Sequence, residues 1–135
     1  MESQAGIPGV RRVQPGERVE GQATPGMRRE EAIVTDLVWS GLVKTDPGMV
    51  SGWHHHGEYE TSIYVVSGAM TMEFGPEGRD VIEAHPGDFI YVAPHAVHRE
   101  SNPTDSEASA VVVRAGNGPV VFNVDGPERP PRASA

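Results

Sequence analysis

Short apolar runs, rich in β-branched and aromatic residues, recur along the chain and are separated by clusters of turn-forming residues. Each run has the length of a β-strand and is too short for a helix of several turns. No window shows the 3.6-residue period of an amphipathic helix. The pattern therefore predicts eight strands, over residues 32–39, 41–45, 62–67, 69–74, 80–84, 88–93, 109–114 and 119–124.

Turn signals containing proline, glycine, asparagine and aspartate punctuate these runs, at residues 45–48, 75–78, 85–88 and 102–105. Glycine contributes 16 residues and proline 12, whereas only 6% of residues are aromatic, so turns are plentiful and long helices are not expected. Many short strands with frequent turns are typical of an all-β fold. We predict a double-sheet jelly roll or small barrel.

The two ends of the chain differ from this pattern. Residues 1–30 are rich in proline and glycine and have few large apolar side chains, so we expect an extended N-terminal arm. Residues 126–135 have the same character and are expected to form a flexible tail. The chain has 135 residues, which fits one domain, and residues 31–125 are its predicted β-barrel.

Charge and cysteine content exclude several classes of function. The formal net charge is -8 and only 11 Lys and Arg residues are scattered along the chain, so nucleic acid is not an expected partner. No apolar stretch is long enough to span a membrane and no secretory signal pattern is present, so we expect a cytoplasmic protein. The chain has no cysteine, so a bound metal would need histidine and carboxylate ligands.

The segment W-H-H-H-G-E-Y-E, residues 53–60, holds three of the six histidines. Side chains alternate between the faces of a strand, so His54 and His56 share one face and His55 points the other way. If the extended conformation continues, Glu60 lies on the same face as His56. Two imidazoles and a carboxylate are a donor set suited to a divalent first-row metal. The alternative is a polar turn or a solvated rim.

A further histidine strengthens the metal hypothesis. His98 follows a predicted strand and a turn that contains Pro94, as a ligand delivered by a neighbouring strand would. Two separated segments then supply nitrogen and oxygen donors to one interior. We therefore predict a metal site formed by His54, His56, Glu60 and His98.

These residues resemble the first motif of the cupin superfamily, G-x5-H-x-H-x3or4-E-x6-G. The positions that match it in order are Gly48, His54, His56 and Glu60. Seven residues rather than six separate Glu60 from Gly68, so counting back from Gly68 places Thr61 at the position of the acidic ligand. Either a β-bulge absorbs the extra residue and Glu60 binds metal, or the site has three histidines alone.

The second cupin motif, G-x5-P-x-G-x2-H-x3-N, is matched at Gly87, His98 and Asn102. Ala93 stands where the motif has proline, and His95 stands where it has its second glycine. The resemblance covers roughly residues 32–124 and implies an RmlC-like jelly roll with a metal pocket.

Two further polar residues near the predicted site are candidate catalytic residues. His95 shares a loop with His98, and Glu100 lies on the same strand face as His98 if the strand is extended. For Glu100 the alternative is a cross-strand ion pair with Arg99 or Arg114. His95 could equally be an exposed rim residue.

The resemblance implies one divalent transition metal per chain, which could be Fe, Mn, Ni, Cu or Zn, with open positions for water, O2 or a substrate oxygen. Bulky apolar residues such as Met72 and Phe74 could line a pocket for a small, mostly uncharged organic molecule. The expected function is a mononuclear metalloenzyme, with dioxygenase-type O2 activation preferred. The alternatives are a non-catalytic small-molecule-binding or sensory cupin, a metal-dependent isomerase or lyase, and a purely structural barrel. Family habit also suggests a homodimer.

Overall fold

A computed structural model describes residues 9–129. These residues form a short 3-10 helix, Pro15–Glu17, and eleven β-strands, with no α-helix among them. None of the described helical residues forms a segment long and apolar enough to cross a membrane. The strands are β1 (Val19–Glu20), β2 (Met27–Val34), β3 (Val38–Thr45), β4 (His54–His55), β5 (Glu60–Ser67), β6 (Met70–Phe74), β7 (Asp80–Ala84), β8 (Phe89–Val92), β9 (His98–Ser101), β10 (Ala108–Ala115) and β11 (Phe122–Asn123).

The strands are arranged in two antiparallel sheets. The large sheet has six strands in the order β1-β2-β3-β10-β5-β8, and the small sheet has five in the order β11-β4-β9-β6-β7. Neighbours in each sheet are often distant in the sequence, since β10 lies between β3 and β5. This topology is the predicted all-β jelly roll.

The hydrophobic core lies between the inner faces of the two sheets. Alternate residues of β5 are buried, with Ile63 and Val65 inside and Tyr64 and Val66 outside. The same alternation in β10 buries Val112. Met72 of the small sheet belongs to the same core cluster. Period-2 burial on both sheets explains why short alternating runs were sufficient to predict strands.

The first predicted strand is wrong in its extent. Residues 32–39 are not one strand, because a turn at residues 35–37 separates β2 from β3. The hydroxyl of Thr35 accepts hydrogen bonds from the backbone N–H groups of Leu37 and Val38 and thereby fixes that turn. Threonine favours such local turns through its side-chain oxygen, a signal that the apolar residues around it concealed.

The predicted arm and tail are partly incorporated in the fold. Strand β2 begins at Met27, within the segment predicted as an arm, and Val19–Glu20 pairs with β2. Near the other end, Glu128 forms a bridge with Pro76. The outermost parts of the predicted arm and tail, residues 1–8 and 130–135, lie outside the described residues.

Candidate metal centre

Four buried side chains meet between the sheets: His54, His56, His98 and Glu100. One donor atom of each lies within 4.8 Å of the donor atoms of the other three. The imidazole rings are close to one another, with ring centroids of His54 and His98 separated by 4.4 Å and those of His56 and His98 by 5.1 Å. We call these four residues the His/Glu cluster.

Strand pairing in the small sheet brings the cluster together. His54 of β4 is the direct partner of His98 of β9. Glu100 follows His98 by two residues on β9, so both side chains point to the same face, as the burial pattern of that strand confirms. His56 follows His54 by two residues and is also buried. The site therefore forms because buried side chains two residues apart in each of two segments are brought together by the pairing of His54 with His98.

Each histidine of the cluster is held by a backbone carbonyl. The Nδ1 atoms of His54, His56 and His98 lie 3.0, 2.6 and 2.8 Å from the carbonyl oxygens of Gly52, Val120 and Ala96. A carbonyl oxygen can only accept, so each Nδ1 carries the proton and donates it. The neutral imidazole then presents the lone pair of its Nε2 atom. This arrangement is the one in which outer hydrogen bonds orient metal-binding histidines.

The contacts of Glu100 are those of a cluster that could hold a cation. Its Oε1 atom lies 3.2 Å from Nε2 of His98 and 3.5 Å from Nε2 of His54. With neutral rings these are lone pairs facing a carboxylate oxygen, which is repulsive unless a proton or a metal ion lies between them. Nε2 of His54 is buried and has no hydrogen-bond partner among the described residues. Three imidazole nitrogens and one carboxylate oxygen fit a divalent first-row metal.

Burial and neighbouring charges set the protonation of the cluster. Desolvation, helped by the positive charge of Arg114, lowers the pKa of His56 to about 2, so this imidazole stays neutral. Burial by itself would raise the pKa of Glu100, but the contacts with His54 and His98 act in the opposite direction when these rings carry a proton at Nε2, and they hold that pKa well below the usual range. A neutral imidazole and an ionised carboxylate are the forms that bind metal.

Glu60 is not part of the cluster, contrary to the sequence-based expectation. It is exposed at the start of β5 and accepts a 2.8 Å hydrogen bond from the hydroxyl of Tyr91. The chain does not stay extended after His56: Gly57 has a φ of +58°, and the N–H of Tyr59 donates to the carbonyl of His56. This turn reverses the facing, so that Glu60 points outward. Glu100 is the carboxylate that the structure places beside the histidines.

His95 also lies away from the cluster. Its exposed side chain contacts the carboxylate of Glu58 at 2.7 Å, and its ring is 5.7 Å from that of His55. Its φ is +59°, in the left-handed region that favours glycine, which explains why the cupin motif has glycine at this position. The sequence analysis gave a cross-strand ion pair between Glu100 and Arg99 as an alternative. That ion pair is not observed, because Arg99 forms two hydrogen bonds, of 3.0 and 2.9 Å, with the carboxylate of Glu73.

An apolar cavity of about 230 Å³ leads to the cluster. Its wall is formed by residues of β6, β7 and β8, including Met72, Ile90 and Val92, and it reaches His98. Tyr91 and the half-exposed Ile82 also line it. The cavity reaches the His/Glu cluster at His98 and has an apolar wall with few polar groups, which are features typical of ligand sites.

Two buried arginines were not assigned to the site by sequence reasoning. Arg29 of β2 is 1% exposed and Arg114 of β10 is 2% exposed. The guanidinium of Arg114 lies 4.8 Å from the ring of Trp39, and Nη1 of Arg29 donates to Thr24 at 2.7 Å. The signal available in the sequence was the alternation in β10, which places Arg114 on the same face as the buried Val112.

Comparison with known proteins identifies the family. The family model described as "Cupin domain" matches residues 41–114. Among solved structures, KdgF from Halomonas sp. has 24% identity and a TM-score of 0.65, with 78% of this chain and 93% of that one covered. The polyketide cyclase RemF from Streptomyces resistomycificus has 21% identity and a TM-score of 0.70, with 85% of each chain covered.

A third structure, an RmlC-like cupin from Shewanella frigidimarina, has 16% identity and a TM-score of 0.62, covering 77% of this chain and 88% of that one. At these identities the likeness shows the fold alone. A comparison with curated proteins found no matching sequence. The family model matches more than half of the 135 residues of this chain, and the observed fold is that of the family. The chain therefore belongs to the cupin superfamily.

Proposed function

We propose that this cupin is a mononuclear metalloenzyme that acts on a small organic molecule. The observation that carries the proposal is the set of three Nε2 lone pairs and one carboxylate oxygen that face one another in a buried site. Polar groups of this kind are costly to bury without a counter-charge. A metal ion bound to all four donors removes that cost.

Each residue has a defined role in this proposal. His54, His56 and His98 hold the ion through Nε2, and their backbone hydrogen bonds keep the rings from rotating away. Glu100 supplies the single negative charge. A divalent metal in this set provides Lewis acidity and, if it is redox-active, the capacity to activate O2. The apolar cavity orients the substrate and excludes bulk water.

The preferred reaction class is oxygen activation against an enol, catechol or thiol, and the alternative is Lewis-acid isomerisation, lyase or cyclisation chemistry. Four protein ligands suit either class, so the metal decides between them. The fold likeness to the polyketide cyclase RemF makes the Lewis-acid class a specific alternative. Oxygen uptake by iron-loaded protein in the presence of catechols supports the first class. Turnover with zinc and no oxygen uptake supports the second.

Elemental analysis tests the metal site directly. We expect about one metal ion per chain in protein purified without added metal. His98→Ala should lose it, whereas His85→Ala should keep it because His85 is exposed in a turn away from the cluster. Glu100→Gln should weaken zinc binding at least about tenfold.

Glu60→Gln is the matched control for Glu100→Gln, because Glu60 is exposed and bonded to Tyr91. We expect its metal affinity to equal that of the wild type. Full metal occupancy in His98→Ala, or a larger loss in Glu60→Gln than in Glu100→Gln, would contradict the assignment. Metal binding without turnover of any offered substrate would favour the non-catalytic binding module.

A further inference from the structure

One wall of the apolar cavity continues directly from the His/Glu cluster across the small sheet. Phe74 of β6 is the cross-strand partner of His98 of β9, and both line the cavity. The next inner residue of β6, Met72, pairs with Glu100 on one side and with Ile82 of β7 on the other. At one strand spacing per step, Ile82 begins about 10 Å from Glu100. The wall therefore runs from the cluster, through Met72, to the half-exposed Ile82.

The opposite wall comes from the large sheet and from the loop that follows it. Ile90 and Val92 of β8 are buried and line the cavity, and Ala96 lines it from the loop between β8 and β9. Ala96 also packs against the core cluster, and its carbonyl accepts the hydrogen bond from Nδ1 of His98. The small side chain of Ala96 therefore keeps open the end of the cavity nearest His98.

The lining disfavours a charged ligand. Among the described residues that line the cavity, none is Lys, Arg, Asp or Glu. The two polar side chains of the lining are His98, which belongs to the cluster, and Tyr91, whose hydroxyl already donates to Glu60. The charged groups that contact these two side chains are the carboxylates of Glu100 and Glu60. A ligand anion would therefore be buried without a counter-charge and would face two negative groups, which is costly.

The volume and the wall chemistry indicate the kind of molecule that fits. The cavity measures about 230 Å³. An engineered apolar cavity of about 150 Å³ binds benzene, whereas pockets for drug-sized ligands begin at about 300 Å³. The cavity thus has room for one aromatic ring with a few substituent atoms. The thioether of Met72 and the ring of Phe74 both favour contact with an aromatic ring over an aliphatic one.

We propose that the cavity selects an uncharged phenol or catechol with a single aromatic ring, and that Ala96 and Ile82 set the size limit. The ring lies against Met72, and its hydroxyl group lies at the His98 end, beside the cluster. This inference rests on the proposed function and deepens it, because it names the substrate class of the same site.

Binding of p-cresol to the full chain tests the proposal. This phenol is uncharged at neutral pH, since phenolic hydroxyls have a pKa of about 10. We expect calorimetry to show one p-cresol per chain both in protein as purified and in chelator-treated protein, because the cavity wall contacts the ring. Binding of p-cresol by a chain that retains no metal would refute the proposed function alone. Metal retention without p-cresol binding would refute this inference alone.

Three comparison ligands test the class of molecule in chelator-treated protein. We expect 4-hydroxybenzoate, in which a carboxylate replaces the methyl group, to bind at least about tenfold more weakly than p-cresol. The aliphatic counterpart 4-methylcyclohexanol should bind about threefold more weakly. The four-ring phenol 1-hydroxypyrene should show no binding. Affinity equal to or tighter than that of p-cresol for any of these three ligands would overturn the proposal.

Ala96→Leu should weaken p-cresol binding at least about tenfold, because the larger side chain fills the inner end of the cavity. Ala115→Leu is the matched control, since Ala115 is exposed at the end of β10 and does not line the cavity. We expect wild-type affinity for the control.

Ile82→Trp tests the outer end and serves if Ala96→Leu fails to fold, because Ile82 is already 40% exposed. We expect a several-fold loss of p-cresol affinity. Val81→Trp is its control, since Val81 is the neighbouring exposed residue on the opposite face of β7 and should keep wild-type affinity. Unchanged p-cresol binding in both Ala96→Leu and Ile82→Trp would show that the ring binds elsewhere and would overturn the proposal.

Discussion

Glu60 and Glu100 show how the facing of one side chain decides the chemistry of this site. Both carboxylates are close in sequence to a histidine of the cluster. Glu60 is separated from His56 by a turn at Gly57, whereas Glu100 and His98 are two residues apart on one continuous strand. Alternation is reliable only where the chain stays extended. The acidic member of the cluster is therefore Glu100.

At the same scale, the neutral state of His56 predicts a dependence of stability on pH. The folded pKa of about 2 lies below the ordinary value of 6.5, so between these values the unfolded chain binds a proton that the folded chain does not. Stability therefore falls as the pH falls below 6.5, by at most about 1.4 kcal/mol per pH unit from this residue. Urea unfolding of metal-free protein at pH 7, 6 and 5 measures it.

His56→Asn is the control for this prediction, because asparagine cannot titrate and can still donate to the carbonyl of Val120. Its free energy of unfolding should depend less steeply on pH than that of the wild type. Measurements above pH 5 avoid the titration of Glu100. The folded pKa of Glu100 lies well below the ordinary value of 4.5, so the stability that its ionisation contributes is lost only as the pH falls below 4.5. Identical slopes in the two proteins would refute a buried neutral His56.

At the scale of elements, the pairing of β2 with β3 depends on a close approach at Gly41. A Cβ atom at this position would lie 2.2 Å from the carbonyl oxygen of Glu30 and 3.0 Å from the ring of Trp39. The register between β2 and β3 shifts nearby, between Glu31 and Ile33. Glycine is therefore required for β2 to lie flat against β3, and β2 in turn carries Arg29.

We expect Gly41→Ala to lower the free energy of unfolding by about 1–3 kcal/mol, because the backbone of β2 must move to admit the methyl group. Chemical denaturation with fluorescence detection measures the change. Gly126→Ala is the control, since no atom lies within 4 Å of its added Cβ, and its stability should change by less than about 0.5 kcal/mol. Equal stability of Gly41→Ala and the wild type would show that β2 does not need this contact.

At the scale of the whole molecule, the outer face of the large sheet is unusually apolar. Phe89 of β8, Tyr64 of β5 and Val111 of β10 form a row of direct cross-strand partners on that face. Phe89 is 73% exposed, and Tyr91 on the same strand is 62% exposed. Strand β8 is at the edge of the large sheet. Exposed apolar rows beside a sheet edge are typical of association surfaces.

The homodimer expected from the family resemblance stays a prediction, and this face is where we expect it to form. Size-exclusion chromatography with light scattering should give twice the mass of one chain. Phe89→Glu should raise the dimer dissociation constant at least about tenfold, because it places a charge in the centre of an apolar contact. Val81→Glu alters an exposed valine of β7 in the small sheet and should remain dimeric. A wild-type monomer at micromolar concentration would contradict the prediction.

Much of the architecture could be predicted because it depends on local patterns. Short apolar runs separated by turn-forming residues were sufficient to predict the all-β jelly roll. The spacing of the histidines was sufficient to predict that His54, His56 and His98 share one interior. The boundary between β2 and β3 was missed, because the turn at Thr35 depends on side-chain hydrogen bonds within an apolar run. The short strand β4 was also missed, since two residues carry no periodic signal.

The sequence by itself determined the all-β pattern, the presence of the histidine donors His54, His56 and His98 and the absence of thiolate ligands, because these follow from residue type and from the period of two along a strand. Tertiary structure alone decided that Glu100, and not Glu60, faces the histidines, and that Arg29, Thr61 and Arg114 leave unpaired donors inside the barrel. The first physical reason is that a turn or a bulge of one residue moves every side chain beyond it to the opposite face of the strand. The second is that the hydrogen-bond partners of a buried polar atom are known only when both sheets are in place.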